Sequence, residues 1–443
     1  MTISKTLLTW TLLAALANAE PLAFTNARVI DGKGQATPET TVVVDEGKIL
    51  SVGPSARLTP PSDAKVYDLR GKTLLPGLIS DHSNVGQTFG ARSGPEFFTR
   101  DNIARQLGDY QRYGVTTVNS LGMNGPVFLE VRDQAHAGKI DGADLFGADR
   151  GIGAPNGAPP VNVGPDQLYR PKTAEQARQA VREMVERKTD LIKIWVDDFH
   201  HTLGHKMPPE VYQAVIDEAH KHNVRVAAHV YYYEDAVRLV ESGVDILAHG
   251  IRDREVEPAL IEAMKANGTW YIATLTLDET FYIYGEAPEW TRSEFFRQAL
   301  QPDLAAQFDD PAWRKKALAD PAKVARDKES LRVNLRNFAK LYQSGVKVGF
   351  GTDSGANPLR IPGFEEHREL ELMVQAGLTP LQAVTVATGQ AAALMGLEDR
   401  GEIAAGKRAD FLVVEGDPTA DILNLRRISS VWRGGRQVSG ALP

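Results

Sequence analysis

The sequence of 443 residues contains no cysteine. Disulfides, thiol nucleophiles, thiolate metal sites and a lipid-modified cysteine are thereby excluded. A dominant charge is also missing: 50 Lys and Arg against 57 Asp and Glu leave a net charge of −7, with the basic residues spread through the chain. Such a balance offers no basic face for nucleic acid or an anionic membrane surface. Apolar residues make up 42% and charged residues 24%, a globular composition rather than a disordered or fibrous one.

Hydrophobic runs of membrane-spanning length are absent as well. The one notable run, residues 7–16, follows Lys5 and ends at Ala17-Asn18-Ala19. A basic start, a short apolar stretch and an A-x-A site, in that order, predict a secretory signal peptide (1–19) cut after Ala19. The mature chain is then expected to be secreted or periplasmic, with no membrane contact once the signal is removed.

What is present is an alternation of patterns. Residues 23–67 read as short strands broken at Asp31-Gly32 and Glu46-Gly47, steps that suit hairpin turns because glycine accepts positive φ. So few strands cannot bury a core alone. Matching strands return at 410–415 and 428–435, so both chain ends are expected to form one small β-sandwich (20–75 plus 400–443). The middle, 76–399, alternates helices with apolar strands: helices at 100–113, 173–188, 208–222, 233–242, 258–266 and 330–344 each precede a strand. This is the pattern of an α/β fold, a parallel (β/α)8 TIM barrel inserted in the sandwich.

Two stretches break the rhythm. Residues 147–164 are rich in Gly and Pro but lack the Lys-Ser/Thr of a phosphate-binding loop, which leaves an active-site loop. Residues 278–328, with Phe281, Tyr282, Tyr284, Trp290, Phe295 and Phe296, read as a helical cap over the barrel mouth, or else as a partner surface.

Polar residues fall at strand ends, which in a barrel converge on one face. His82 ends an apolar strand that opens with Leu74-Leu75-Pro76-Gly77; His229, His249 and Asp353 end three others. Lys193 lies inside Leu191-Ile192-Lys193-Ile194-Trp195-Val196. An unpaired ammonium there is costly, and a depressed pKa leaves an amine able to take up CO2 as a carbamate. Singly, each residue has a structural explanation: a hydrogen-bonded histidine, a helix-capping Asp353, a snorkelling Lys193. Jointly, N and O donors at so many strand ends point to a site.

These residues, in this order, resemble the amidohydrolase superfamily, and most closely its imidazolonepropionase-like and prolidase-like branch. The ending from Gly377-Leu378-Thr379-Pro380 to Gly406-Lys407-Arg408-Ala409-Asp410 carries the same likeness. The resemblance implies metal ligation by His82, a carboxylated Lys193, His229, His249 and Asp353, with zinc as the divalent ion. One position departs. The second histidine of the first-strand His-x-His is Asn84, and an amide oxygen is a poor zinc ligand. One or two metals per chain therefore remain open. The implied chemistry is hydrolysis of a carbon–nitrogen bond in a small-molecule substrate by metal-activated water, with Asp353 as general base and then acid.

Tyr231, two positions after His229, either binds substrate or packs under the cap. His200, His201 and His205 sit on a loop; by default they are solvated, though one could replace the ligand missing at Asn84. Two other readings stand beside hydrolysis: a lyase or isomerase on the same metal barrel, and a metal-free binding protein. A homo-oligomer is left open.

Overall fold

The computed structural model describes residues 20–442. The expected signal peptide lies outside them. The described strands, in chain order, are β1 (Leu22–Ile30), β2 (Ala36–Asp45), β3 (Lys48–Pro54), β4 (Lys65–Asp68), β5 (Lys72–Pro76), β6 (Leu78–Ser83), β7 (Thr88–Phe89), β8 (Arg92–Ser93), β9 (Val115–Leu121), β10 (Asp144–Ala148), β11 (Ile192–Trp195), β12 (Val226–His229), β13 (Ile246–Leu247), β14 (Trp270–Ile272), β15 (Val348–Gly349), β16 (Phe411–Glu415), β17 (Ile428–Arg433) and β18 (Arg436–Ser439).

The two chain ends share one sheet in the order β18-β17-β16-β5-β1-β2-β3, with β4 also on β1. Its enclosed face is aromatic: Phe24 meets Trp432 edge-on at 4.9 Å and Phe411 at 5.4 Å between ring centroids. Val42, Val44, Leu74 and Val413 complete that core. Because its members come from both ends, neither end can bury its apolar face alone. The turn at Glu46-Gly47 has positive φ at both residues, 45° and 77°, as a two-residue hairpin demands. Asp31-Gly32 differs from the expected hairpin. Asp31 Oδ1 accepts from the Lys33 and Gln35 amides at 2.7 and 3.0 Å, building a wider Asx turn.

Eight parallel strands close the barrel. Ladders join β6 to β9 and β9 to β10, then run from β11 to β15. Single bridges between Ala148 and Leu191, and between Ser83 and Ser354, complete the circle. The layering is clear in β11. Ile192 and Ile194 pack outward into the main helix-covered core, while Lys193 and Trp195 turn inward. The surrounding helices present stripes at helical spacing; Ala174–Glu186 buries Ala177, Ala180, Val181 and Met184, and Thr173 caps it by accepting from the Gln176 amide.

One helix starts earlier than expected. Pro321–Gln343 begins nine residues before position 330, because Asp320 caps it from the Ala322 and Lys323 amides and Pro321 stands at its first turn. A further unit, helix Pro126–His136 and β10, escaped the sequence reading, which had no strand between 120 and 191. The cap is helical: short helices from Thr276–Glu279 to Pro311–Ala317 lead into the long one. Among the described residues no helix is long and apolar enough to cross a membrane.

Candidate active site

Closure of the barrel between its first and last strands sets the site. The Thr352 and Asp353 amides both donate to the His82 carbonyl, at 3.0 and 2.9 Å, and the Asn84 amide donates to the Ser354 carbonyl at 2.7 Å. Asp353, with φ of 59°, is thereby turned against His82 and Asn84. Behind it, Glu366 Oε1 accepts from Thr352, Ser354 and Ser80 hydroxyls, which anchors this corner.

The structure brings His82, Lys193, His229, His249, Asp353 and Tyr231 to one cavity of about 360 Å³. Lys193 Nζ is 3.3 Å from His82 Nε2, which is 3.3 Å from Asp353 Oδ1. The His249 ring lies 4.5 Å from that of His82 and 4.4 Å from that of His229, centroid to centroid. Donor atoms of His82, His249 and Asp353 lie within 4.8 Å of one another, a set able to hold a metal ion. Tyr231 reaches the cavity wall, but its hydroxyl is 3.0 Å from Ser330 Oγ.

Of the loop histidines, only His200 lines the cavity, packed edge-on against Tyr231 at 4.1 Å. His201 is exposed and pairs with Asp198 at 3.0 Å, and His205 is exposed. None of the three joins the ligand set among the described residues. The 147–164 loop contributes Pro159, Pro160 and Val161 to the cavity, and the cap contributes Phe281.

Three residues central to the site were not foreseen. Asp197 is fully buried, its Oδ2 3.1 Å from His229 Nε2. Thr274 Oγ1 is 2.9 Å from His249 Nδ1, fixing that ring. Arg360 pairs with Asp353 Oδ2. Asp197 and Thr274 carried a signal, since each lies just past the carboxyl end of a barrel strand. Arg360, in a loop with no period, carried none.

Burial dominates the electrostatics. It pushes the Lys193 amine down to about 7, against the raising influence of Asp353 and Asp197. Burial, then the charge of Lys193, lowers His82 to about 4 despite Asp353. Burial also lowers His229 and takes His249 well below the usual range, aided there by the neighbouring imidazoles. For Asp353, burial acts upward, yet Arg360, His82 and Lys193 together hold the carboxyl well below its ordinary value. Neutral imidazoles beside ionised carboxylates are the protonation states that bind metals. Orphaned buried atoms agree: His82 Nδ1 and Asp197 Oδ2 have no aligned hydrogen-bond partner. The donor set fits a divalent cation.

A parallel barrel with such a cluster at its strand ends defines a class of enzymes that do chemistry in the barrel mouth. The amidohydrolase family profile matches residues 73–438, and the chain belongs to that family. It is similar to ochratoxinase from Aspergillus niger, 24% identical across 93% of this chain and 85% of the relative. It is similar also to imidazolonepropionase from Deinococcus radiodurans, 23% identical across 90% and 92%. Among solved structures, a Xaa-Pro dipeptidase with methionine bound in its active site superposes with a TM-score of 0.74, 25% identical, covering 94% of this chain and 99% of that one. The chain is a hydrolase acting on carbon–nitrogen bonds, and its family generally binds divalent metals.

Proposed function

We propose that this protein is an exported, zinc-dependent amidohydrolase that cleaves small peptide-like substrates, either N-acyl amino acids or dipeptides. The observation that carries the reading is the convergence of His82, Lys193, His229, His249 and Asp353, which lie on or just past five separate strands, on one cavity. Its walls match such substrates. Trp195, Phe199, Leu277 and Phe281 offer apolar surface for a side chain or acyl group, and Arg326 and Lys323, which share the Asp327 carboxylate, leave a net positive charge there for a carboxylate. Among the similar proteins, the Xaa-Pro dipeptidase is by its name an enzyme of dipeptides, which supports this substrate class.

Burial lowers the Lys193 amine to about 7, so an uncharged fraction is present at neutral pH; its nitrogen would add to the carbon of CO2, the proton leaving to solvent, and the carbamate would gain carboxylate character. His82, His229 and His249 present neutral nitrogens, and Thr274 fixes the His249 ring. A divalent ion held by these groups would supply a water of lowered pKa and polarise the substrate carbonyl. Asp353, kept ionised, is in the form that would accept that water's proton and hand it to the leaving nitrogen.

The test is hydrolysis of a panel of N-acyl amino acids and dipeptides by protein loaded with zinc and bicarbonate. Wild type should turn over at least one of them, and Asp353→Asn should lower kcat by roughly 10²–10⁴-fold with the fold intact. Equal rates in the two proteins would remove Asp353 from the mechanism, and no turnover on any carbon–nitrogen bond would end the proposal. Export has its own check: the amino terminus of protein recovered from the periplasm or medium should begin at Glu20.

A further inference from the structure

We infer that this chain is built for a single metal ion, with the Arg360 guanidinium, assisted by Asn84, occupying the place of a second cation beside Asp353. The inference rests on the metal-dependent reading above and deepens it.

A buried, ionised carboxylate needs positive charge or donors at both oxygens. At Asp353 the chain's own groups supply them. Asn84 Nδ2 donates to Oδ1 at 2.6 Å, and His82 Nε2 lies 3.3 Å from the same oxygen. Arg360 Nη1 donates to Oδ2. The amide orientation at Asn84 follows from chemistry, since the reverse would press its carbonyl oxygen against a carboxylate. Asn84 thus faces Asp353 through its amide nitrogen as a donor, the polarity of a cation's substitute, while its Oδ1 has no hydrogen-bond partner.

Arg360 is built in. It is 8% exposed, and its guanidinium lies over the Phe281 ring at 5.5 Å. Its amide donates to the Asn357 carbonyl at 3.1 Å, and its carbonyl accepts from the Gly355 amide at 2.8 Å. The root of the side chain is fixed within a few residues of Asp353. A guanidinium does not deprotonate, so its charge is permanent. Asp353 is close enough to His82 and His249 to share a metal ion with them, but an ion bound through it would have to displace Asn84 or Arg360 and tolerate the guanidinium charge nearby.

On the opposite side the buried guanidinium, Arg252, is paired with Asp278 at 3.1 Å rather than with a carboxylate of the cluster. The neighbour of His229 is the Asp197 carboxylate, whose Oδ2 lacks an aligned donor. His249 is held through Nδ1, which leaves its other nitrogen free, and Lys193 stands between the two sides. Positive charge is therefore divided: one centre is a protein side chain, and the other awaits an ion.

The experiment counts zinc per chain by plasma emission and native mass spectrometry, after loading with zinc and bicarbonate and dialysis. Wild type should hold one zinc. Asn84→His should still hold one, because Arg360 remains on Asp353, and Asn84→His combined with Arg360→Met should hold two. Two zinc ions in wild type would overturn the inference while leaving the metal-dependent hydrolase intact; so would a folded double variant that stays at one. No zinc in wild type would instead overturn the metal-dependent reading, and this inference with it. The wild-type count decides even if a variant fails to fold, which melting by circular dichroism would reveal.

Discussion

Lys193 shares a four-residue strand with Ile192, Ile194 and Trp195, and all four are buried. In a barrel wall such a lysine survives by losing its proton or gaining a partner, and the nearest groups are His82 and the Asp353 and Asp197 charges. In the proposed reading a carbamate would turn this burden into a ligand. Carbon-13 bicarbonate should therefore give wild-type protein a carbamate carbonyl resonance that is absent from Lys193→Ala. Zinc affinity should fall in that variant by at least the 10–100-fold typical of losing a supporting group. An unchanged spectrum together with unchanged affinity would make Lys193 a bystander. The residues that sequence reading found here are those that a barrel strand must deliver to its carboxyl end: His82, Lys193, His229, His249 and Asp353. The residues it missed act by reach. Arg360 meets Asp353 across a loop with no periodicity, and nothing in the letters around position 360 distinguishes it from a surface arginine.

Elements show the same division. Strand and helix types were legible wherever apolar residues repeated at period two or 3.6, as in β11 and Ala174–Glu186. Boundaries failed where caps decided them, as at Asp320. Helix Phe364–Gln375, just past Arg360, hides a feature that no periodicity reveals: Glu365, Glu366 and Glu369 are all buried on it. Burial pushes Glu365 up to about 8, partly opposed by the Tyr284 hydroxyl 2.5 Å away and reinforced by Glu279 and Glu366. The folded chain then keeps a proton that the unfolded chain releases near its ordinary value of 4.5. Where the native state binds more protons, stability falls as pH rises. This contribution is complete below 4.5 and is lost as pH climbs through about 8. Glu369 is pushed the same way, so it adds to the slope. Glu365→Gln keeps a neutral group beside Tyr284 and cannot ionise. Thermal unfolding across this range should show a shallower decline for the variant, its advantage over wild type growing with pH. Parallel melting curves would contradict the assignment.

For the molecule as a whole, the question is what couples the shared sheet to the barrel. The two chain ends meet in one sheet, which the sequence foreshadowed by placing strand patterns at both termini. The joint itself was invisible, because it depends on charges separated by hundreds of residues. Asp144, at the amino end of β10, is 1% exposed and lies 2.7 Å from Arg400, 2.7 Å from His136, 3.5 Å from Arg433 and 3.6 Å from Arg408. Arg433 comes from the sheet and also donates to the Ala135 and Gly142 carbonyls of the barrel. Burial would raise the Asp144 carboxyl, yet His136 and Arg400 hold it well below its ordinary value. A depressed acid stabilises the fold above its unfolded value of 3.8, and that contribution is lost as pH falls toward the folded value. Asp144→Asn removes the carboxylate on which Arg400, Arg408 and Arg433 converge, leaving Arg400 with Asp399 and Arg408 with Asp410. Breaking a buried pair from one side costs about 3–5 kcal/mol, and the variant should lose that much in denaturant titration at neutral pH. Its deficit should shrink in acid, where wild type also gives up the charge. The manner of unfolding is informative too. If Asp144 couples sheet to barrel, wild type unfolds in one transition followed alike by Trp432 in the sheet and Trp195 in the barrel, and Asp144→Asn separates the two signals. A loss under 1 kcal/mol with coincident transitions would place the coupling elsewhere, in the apolar contacts that Leu75, Leu412 and Val431 share with the barrel core.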